Sequence, residues 1–244
     1  MRFDIITIFP DIFDSYFNES MIKRARAKKL VDICVHNLRD FVSDKKKKGL
    51  PASMRSFGRV DDTPYGGGAG MVLMAEPILR AVAKIKPRSK TKIVVFSAKG
   101  RQFTQKMAYD WAKKYGHFVF ITGRYEGIDE RVSKILKVEE ISIGPYVMTD
   151  GDVAAMAVVS ALTRLIPNVI NWTSLQEESF RRGTLTKEAG GMLEYPHYTR
   201  PEVVVWPSPG RGKKGKKYRV PKVLLSGDHK KIAAWRRMHQ GKVR

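Results

Sequence analysis

The chain has 244 residues, in which 46 Lys and Arg outnumber 24 Asp and Glu to give a formal net charge of +22. A surplus of this size favours a polyanionic partner, nucleic acid first and an anionic membrane surface second. A single cysteine excludes a disulfide framework, and no apolar run approaches the roughly 20 residues of a membrane span, so we expect a cytoplasmic protein.

The first part of the chain alternates predicted strands and helices. Phe3–Phe9 alternates in polarity and is rich in β-branched residues, which predicts a strand that Pro10 ends. Asp11–Lys29 has helical spacing of its apolar residues, and Val31–Val35 predicts a second strand. This order of elements is typical of an α/β fold.

Two segments of unusual composition follow. Asp40–Asp62 contains four consecutive lysines and then Arg55 and Arg59, and we interpret it as a loop because like charges repel one another. Pro64–Gly70 is a glycine-dense turn that leads into a predicted helix at Ala75–Ile85. By composition alone, this turn need be no more than a flexible link.

The central part repeats a strand–helix–strand rhythm. Its predicted elements are a strand at Ile93–Ser97, a helix at Thr104–Tyr115, strands at Phe118–Thr122 and Glu139–Ile143, and a helix at Val153–Leu165 that Asp152 begins. We therefore predict an α/β fold with a parallel sheet. The turns GRYEG and GPYVMTDG directly follow two of these strands, at the edge where open α/β sheets bind ligands. By composition alone, they are ordinary strand–helix turns.

From Pro167 the sequence becomes polar and aperiodic, which predicts a linker over residues 167–190. Residues 191–244 predict a small helical domain, with a helix from about Asp228 to Met238 and caps at Ser226 and Asp228. Residues 210–215 fit the nucleotide-binding pattern G-x-G-x-x-G, but we expect no strand before them and no helix after them. We interpret them as a basic loop.

The residues contain no recognisable metal or nucleophile motif. The five histidines show no ligand spacing with one another or with Cys34, and no G-x-S-x-G sequence occurs. The chemistry must therefore use a cofactor or a general base. A need for magnesium cannot be read from the residues.

Several separated motifs carry a resemblance to a known family. They are PYGGGAGM at Pro64–Met71, SAKGR at Ser97–Arg101, GRYEGIDER with SIGPYVMTDGD in the centre, and PHYTRPEV at Pro196–Val203. In this order they resemble the bacterial tRNA (guanine-N1)-methyltransferase TrmD family of the SPOUT superfamily. The resemblance extends over nearly the whole chain.

The resemblance implies a fold and an activity. Residues 1–166 would form a SPOUT domain with a deep trefoil knot, and residues 191–244 a helical tRNA-binding domain. A homodimer, with an active site that spans both subunits, would transfer a methyl group from S-adenosylmethionine to N1 of the guanosine 3′ of the anticodon, position 37 of tRNA. The alternatives are another SPOUT RNA methyltransferase and a non-catalytic RNA-binding protein on the same scaffold.

The resemblance also assigns residues to the methyl donor, which would lie bent against three glycine-bearing turns. The assigned residues are Ser97, Ala98, Gly100, Thr122, Gly123, Tyr125, Glu126, Ile143, Gly144, Pro145, Tyr146, Val147, Met148 and Gly151. Pro145 and Asp150 depart from the Asp and Gly of the family's pattern. Both lie in the third turn, so these departures bear directly on the affinity for the donor.

Two charged residues are assigned to catalysis by the resemblance. Glu178, where the family has Asp, would take the N1 proton, with Glu177 as the competing base, and Arg164 would stabilise negative charge on guanine O6. The alternatives are solvated linker charges and an ordinary cation at a helix C-terminus. The flipped target nucleotide would lie against Tyr65, Gly66, Gly67, Ser179 and His197.

Two lysine-rich insertions distinguish this chain from the family's pattern. Lys45–Arg59 and Arg211–Arg219 each carry six cationic residues. We predict that they bind tRNA phosphates and add affinity without base specificity. The alternative is that they are solvated charge runs.

Overall fold

The computed structural model of the protein describes residues 1–43, 58–171, 193–206 and 215–241. The chain divides into two compact units, Met1–Asn171 and Trp172–Arg244. The predicted base Glu178, its neighbours Glu177 and Ser179, most of the insertion Lys45–Arg59 and the first four residues of the insertion Arg211–Arg219 lie outside the described residues. Within the described ranges, no helix combines the length and the apolar character that a membrane span requires.

The elements are labelled in chain order over the described residues. The strands are β1 (Arg2–Thr7), β2 (Asp32–Asn37), β3 (Asp61–Asp62), β4 (Val72–Leu73), β5 (Thr91–Gln102), β6 (His117–Ile121), β7 (Glu139–Ser142), β8 (Val203–Trp206) and β9 (Lys216–Arg219). The α-helices are α1 (Asp14–Phe17), α2 (Ser20–Ala27), α3 (Ala75–Ile85), α4 (Gln105–Lys114), α5 (Arg131–Leu136), α6 (Asp152–Thr163), α7 (Lys222–Leu225) and α8 (His229–Met238). Short 3₁₀ helices occupy Pro10–Phe13 and Leu38–Phe41.

Five strands of the first unit form one sheet in the order β2–β1–β6–β5–β7. Every pairing between neighbours in this sheet is parallel. Parallel neighbours need crossover connections, which the helices between the strands provide. The predicted α/β fold with a parallel sheet is therefore confirmed.

The side chains of the central strands alternate between two hydrophobic cores. In β6, Phe118 and Phe120 pack in a core with helices α2, α4 and α6, whereas Val119 and Ile121 pack in a core with helices α3 and α5. This alternation follows from the strand itself, since successive side chains point to opposite faces of a sheet. The first unit therefore has three layers, and the ends of the strands remain available to hold turns.

The element boundaries follow the sequence pattern, with differences where tertiary contacts intervene. The predicted helix Ala75–Ile85 is found with these bounds as α3. Asp11–Lys29 is not one helix, because Glu19 has extended backbone dihedrals between α1 and α2. β5 continues beyond the predicted Ile93–Ser97, because it resumes its pairing with β7 after a detour.

The second unit contains a strand pair that the sequence did not predict. β8 and β9 are antiparallel, with Val203 opposite Arg219 and Trp206 opposite Lys216. The expectation that no strand precedes residues 210–215 is therefore wrong. Three of the four residues of β9 are cationic. Its pairing rests on main-chain hydrogen bonds, which leave no polarity pattern in a sequence.

The predicted C-terminal helix is confirmed as α8. The Asp228 carboxylate accepts hydrogen bonds from the backbone amides of Lys230 and Lys231 at 3.0 and 3.1 Å. The Ser226 hydroxyl accepts one from the Asp228 amide at 3.2 Å. Amides in the first turn of a helix have no partner within it, so the Asp228 side chain acts as the N-cap.

A buried carboxylate joins three strands of the sheet. Asp4 in β1 is fully buried, and its oxygens lie 2.6 Å from Nε2 of His36 in β2 and 2.6 Å from Nε2 of His117 in β6. The Arg2 guanidinium donates two more hydrogen bonds to it, at 2.8 and 3.0 Å. Burial opposes ionisation, but the bonds from His36, Arg2 and His117 outweigh it and hold the pKa of Asp4 well below its usual range.

Replacing Asp4 with Asn should destabilise the protein by about 3 kcal/mol, because a buried ionic network loses its anion while its partners stay in place. The pKa of Asp4 is lower in the folded protein, so its contribution is present above the ordinary carboxyl pKa of about 3.9 and is lost as the pH falls further. In urea unfolding, the difference between wild type and Asp4→Asn should therefore shrink in acid. The control is Asp32→Asn, which removes an exposed partner of Arg2 and should change stability little. A difference that stays constant at every pH would contradict this role.

Candidate functional site

A cavity of about 580 Å³ opens at the carboxyl ends of β5, β6 and β7. Most of its wall comes from three turns: residues 97–99 within β5, residues 123–128 after β6 and residues 143–151 after β7. Cavities of this size hold small molecules in many proteins. The folded chain therefore has a cavity at the edge of the sheet where the sequence predicts a ligand.

Most residues assigned to the methyl donor by resemblance line this cavity. All but Gly100, Thr122 and Pro145 contribute to its wall. Thr122 is buried instead, and its hydroxyl donates a hydrogen bond to the Ile6 carbonyl at 3.1 Å. Thr122 thus ties the start of the second turn to β1. Pro145 is exposed.

The first turn is a detour within β5. Phe96 and Arg101 both pair with Ile141 of β7, so the residues between them leave the strand ladder. Gly100 closes the detour against β7, where a Cβ atom would lie 2.5 Å from main-chain atoms of Glu140 and Ile141. Glycine is the residue that allows two backbones to approach so closely.

Charged residues that the sequence analysis missed line the same wall. Lys99 Nζ lies 2.9 Å from Oε2 of Glu130 and 3.5 Å from Oε2 of Glu140. The hydrogen bond to Glu130, followed by the charge of Glu140, raises the pKa of Lys99. Ser133 donates a hydrogen bond to Glu140 at 2.9 Å. These residues come from β5, from the start of α5 and from β7, so no local spacing could indicate that the three elements meet here.

The second and third turns are joined through their main chains. The Gly151 amide donates a hydrogen bond to the Gly123 carbonyl at 2.9 Å, and Arg124 forms an isolated β-bridge with Asp150. A Cβ atom on Gly151 would lie 3.0 Å from the Gly123 nitrogen and 3.1 Å from the Cα of Thr122, which is closer than ordinary side-chain contacts. Glycine at this position therefore allows the two turns to meet and close one side of the cavity.

Asp150, which departs from the glycine of the family's pattern, has several partners. Its carboxylate accepts hydrogen bonds from the amides of Asp152 and Val153 at 3.0 and 3.2 Å, at the start of α6. It also pairs with the Arg124 guanidinium at 3.4 Å, which lies 4.4 Å from the centre of the Phe9 ring. The departure at this position therefore adds contacts to the third turn.

A second buried carboxylate lies next to the third turn. Asp152 is fully buried and accepts a hydrogen bond from the Thr7 hydroxyl at 2.8 Å. Burial raises the pKa of Asp152, against the opposing effect of the neighbouring Thr122 and Thr7 hydroxyls. Its Oδ2 atom has no hydrogen-bond partner within the described part of the chain. The sequence indicated only a helix start here, because the burial depends on β1 and β6, which are distant along the chain.

The glycine-dense turn assigned to the substrate adjoins the second turn of the cavity. The Glu126 amide donates a hydrogen bond to the Met71 carbonyl at 3.1 Å, which anchors the end of this segment to the cavity wall. Tyr65 is fully exposed, and Gly66 and Gly67 have positive φ angles of 87° and 80°. Tyr65, Gly66 and Gly67 lie on this anchored segment but are not part of the cavity lining.

The other assigned residues do not line the cavity. Ala154, near the start of α6, is part of the lining, whereas Arg164 follows the last residue of that helix. At 1.5 Å per residue, the two lie about 15 Å apart along the helix. His197 belongs to the second unit, where its ring lies 4.7 Å from that of Tyr195. Among the residues that the structure describes, no three His, Cys, Asp or Glu side chains are arranged to hold a metal ion.

The amino-acid sequence matches a known protein family over almost its whole length. The family described as tRNA (Guanine-1)-methyltransferase TrmD matches residues 1–243. The chain is 45% identical over 240 residues to the tRNA (guanine-N(1)-)-methyltransferase of Thermomicrobium roseum, a match that covers 98% of this chain and 78% of that protein. Proteins of the same name from Carboxydothermus hydrogenoformans and Dictyoglomus turgidum are 42% and 44% identical over 238 residues, which is 97% of this chain and 81% and 84% of those proteins.

Replacing Gly100 with Ala should distort the first turn, because the added Cβ atom would collide with the main chain of β7. We expect a loss of about 1–3 kcal/mol in urea unfolding, as for other overpacked sites. We also expect a weaker affinity for S-adenosylmethionine in calorimetric titration. The matched control is Gly116→Ala, where a Cβ atom would meet no atom within 4 Å and should leave both measurements nearly unchanged. If Gly100→Ala behaved like this control, the close approach would have no role in shaping the cavity.

Proposed function

The chain belongs to the tRNA (Guanine-1)-methyltransferase TrmD family, and we propose on that basis that it transfers a methyl group from S-adenosylmethionine to N1 of guanine in tRNA. We place the target at the guanosine 3′ of the anticodon, position 37, and the reaction in the cytoplasm. The observation that carries this proposal is the cavity at the ends of three parallel strands, whose wall contains the family's donor motifs.

The donor is proposed to lie bent across the three turns that form the cavity wall. Gly123, Gly144 and Gly151 line the cavity, and residues without side chains allow main-chain groups of these turns to approach an adenine edge. Glu126 also lines the cavity and would place a carboxylate near the positively charged sulfur, which favours binding by simple charge attraction. The volume and the glycine-bearing wall fit a molecule of this size.

The chemistry that remains for the protein is the removal of one proton. Guanine N1 carries a hydrogen and is a poor nucleophile until that hydrogen leaves. The Glu178 carboxylate is proposed to take the proton while the bond from N1 to the methyl carbon forms and the bond from that carbon to sulfur breaks. Sulfur then leaves as a neutral thioether. Arg164 is proposed to stabilise the negative charge that grows on guanine O6.

The position of Arg164 supports a homodimer with shared active sites. Arg164 lies at the far end of α6 from the cavity of its own chain. A second copy of the chain that brings its own cavity close to this end of the helix would allow Arg164 to reach a guanine bound there. We therefore propose that Arg164 of one subunit completes the site of its partner.

The path of the chain into α6 supports a knotted first domain. β7 lies at one edge of the sheet, yet α6 returns to β1, where Thr7 bonds to Asp152. On this path Gly151 lies against Phe96 and Gly123, at the ends of β5 and β6. A chain that passes back between strand ends in this way is consistent with a trefoil knot. The proposed layout is a SPOUT domain over residues 1–166, a linker over residues 167–190 and a tRNA-binding domain over residues 191–244.

Methyl transfer can be tested with labelled S-adenosylmethionine and tRNA transcripts that carry guanosine or adenosine 3′ of the anticodon. Digestion to nucleosides should yield labelled 1-methylguanosine with the first transcript and none with the second, in reactions run with and without magnesium. A different labelled nucleoside would indicate another RNA methyltransferase. The absence of both label and calorimetric donor binding would indicate a non-catalytic RNA-binding protein.

The same assay on two glutamine variants identifies the base. Glu178→Gln should lower the rate by about a hundred- to ten-thousand-fold, as is usual when a general base is lost, while donor and tRNA still bind. Glu177→Gln is the matched control and should be nearly silent. The reverse pattern would identify Glu177 as the base. Near-normal rates in both variants would show that neither carboxylate takes the proton.

A further inference from the structure

One face of the strand pair in the second unit displays aromatic rings to solvent. Val204 lies opposite Tyr218, and Trp206 lies opposite Lys216. Residues that are directly opposite, or two apart on one strand, share a face of a sheet. Val204, Trp206, Lys216 and Tyr218 therefore form one surface, here called the aromatic face.

The aromatic face is open to solvent, whereas the valines of the other face are partly covered. Trp206 is 66% exposed and Tyr218 is 51% exposed. Val203 and Val205, which point the other way, are partly buried. The large rings thus occupy the outward positions, so packing in a hydrophobic core does not explain their presence. An exposed Trp beside an exposed Tyr is typical of a binding surface.

The strand that carries Tyr218 also carries three cations. Lys216 shares the aromatic face, and its Nζ lies 5.4 Å from the centre of the Tyr218 ring. Lys217 and Arg219 are exposed on the other face, opposite Val205 and Val203. No carboxylate forms a salt bridge with these three cations within the described part of the second unit. The strand pair therefore offers flat rings for stacking and cations for a polyanion on one small element.

We propose that the aromatic face binds unpaired nucleotides of the tRNA substrate, with bases stacked on Trp206 and Tyr218 and phosphates held by the cations of β9. This inference rests on the proposed function for the identity of the RNA. It assigns base stacking to this strand pair, in addition to contacts with phosphates. Stacking on aromatic rings requires bases that are not paired, and tRNA exposes such bases in its loops and at its 3′ end.

RNA fits this surface better than a second protein does. A protein partner would have to match the exposed cations of β9 as well as the rings, whereas RNA supplies a negative charge at each nucleotide and a flat ring beside it. The chain as a whole has a net charge of +22, which also draws a polyanion to it. Rings interleaved with cations are the combination that single-stranded nucleic acids bind.

The test compares the affinity of the full chain for a labelled tRNA transcript over a range of salt concentrations. Trp206→Ala combined with Tyr218→Ala should weaken binding by about five- to a hundredfold without changing the slope of log affinity against log salt, because no phosphate contact is lost. Lys217→Gln combined with Arg219→Gln should flatten that slope. Trp206→Phe should retain most of the affinity, since a ring remains.

Two controls make the result specific. Val204→Ala alters the same face without removing a ring and should bind tRNA as the wild type does. An RNA duplex of similar length should lose little affinity when the rings are removed, because its bases are already stacked. Unchanged tRNA affinity in the double alanine variant would overturn the proposal, and so would an equal loss for duplex RNA or a change only in self-association.

The methyl-transfer assay on the wild-type chain separates this proposal from the proposed function. If the wild type forms 1-methylguanosine normally and the double alanine variant binds tRNA as well as the wild type does, the aromatic face does not bind RNA but the proposed activity is correct. A ring-dependent affinity for the transcript, without methyl transfer by the wild type, would support the binding surface and reject the enzyme activity.

Discussion

The hydrogen bond from the Gly151 amide to the Gly123 carbonyl is the contact on which the candidate site depends. It joins the turn after β7 to the turn after β6, and the pair formed by Arg124 and Asp150 reinforces the same junction. Gly151 also immediately precedes α6, so this contact fixes where the helix begins and which of its residues meet the cavity. A Cβ atom at this position would lie 3.0–3.2 Å from Gly123, Thr122 and Phe96, so a side chain here would strain the junction of the two turns.

The two fully buried aspartates have pKa values shifted in opposite directions, because their partners differ. Asp4 is surrounded by a guanidinium and two imidazoles, and its pKa falls. Asp152 receives only hydroxyl donors, so burial dominates and its pKa rises. Asp4 therefore acts as an ionic joint between three strands, whereas Asp152 lies beside the ligand cavity and forms no salt bridge among the described residues.

The sequence predicted those parts of the molecule whose determinants are local. Helix α3 and the parallel strands follow from apolar periodicity, and the turns at Gly123 and Gly151 follow from motifs that resemble a family. The detour at Gly100 and the cluster around Lys99 could not be predicted, because they exist only when β5 lies beside β7 and α5. The pair of β8 with β9 was missed for another reason, since a cationic strand carries no apolar pattern.

Hydrogen–deuterium exchange with and without saturating S-adenosylmethionine tests most directly whether the three turns form one donor site. If these turns hold one donor, the largest slowing of amide exchange should fall together on residues 97–100, 123–127 and 144–151, with α8 in the second unit unaffected. Unchanged exchange in these turns, at a donor concentration that calorimetry shows to be saturating, would show that they do not form the donor site. So would a largest effect centred elsewhere in the first unit.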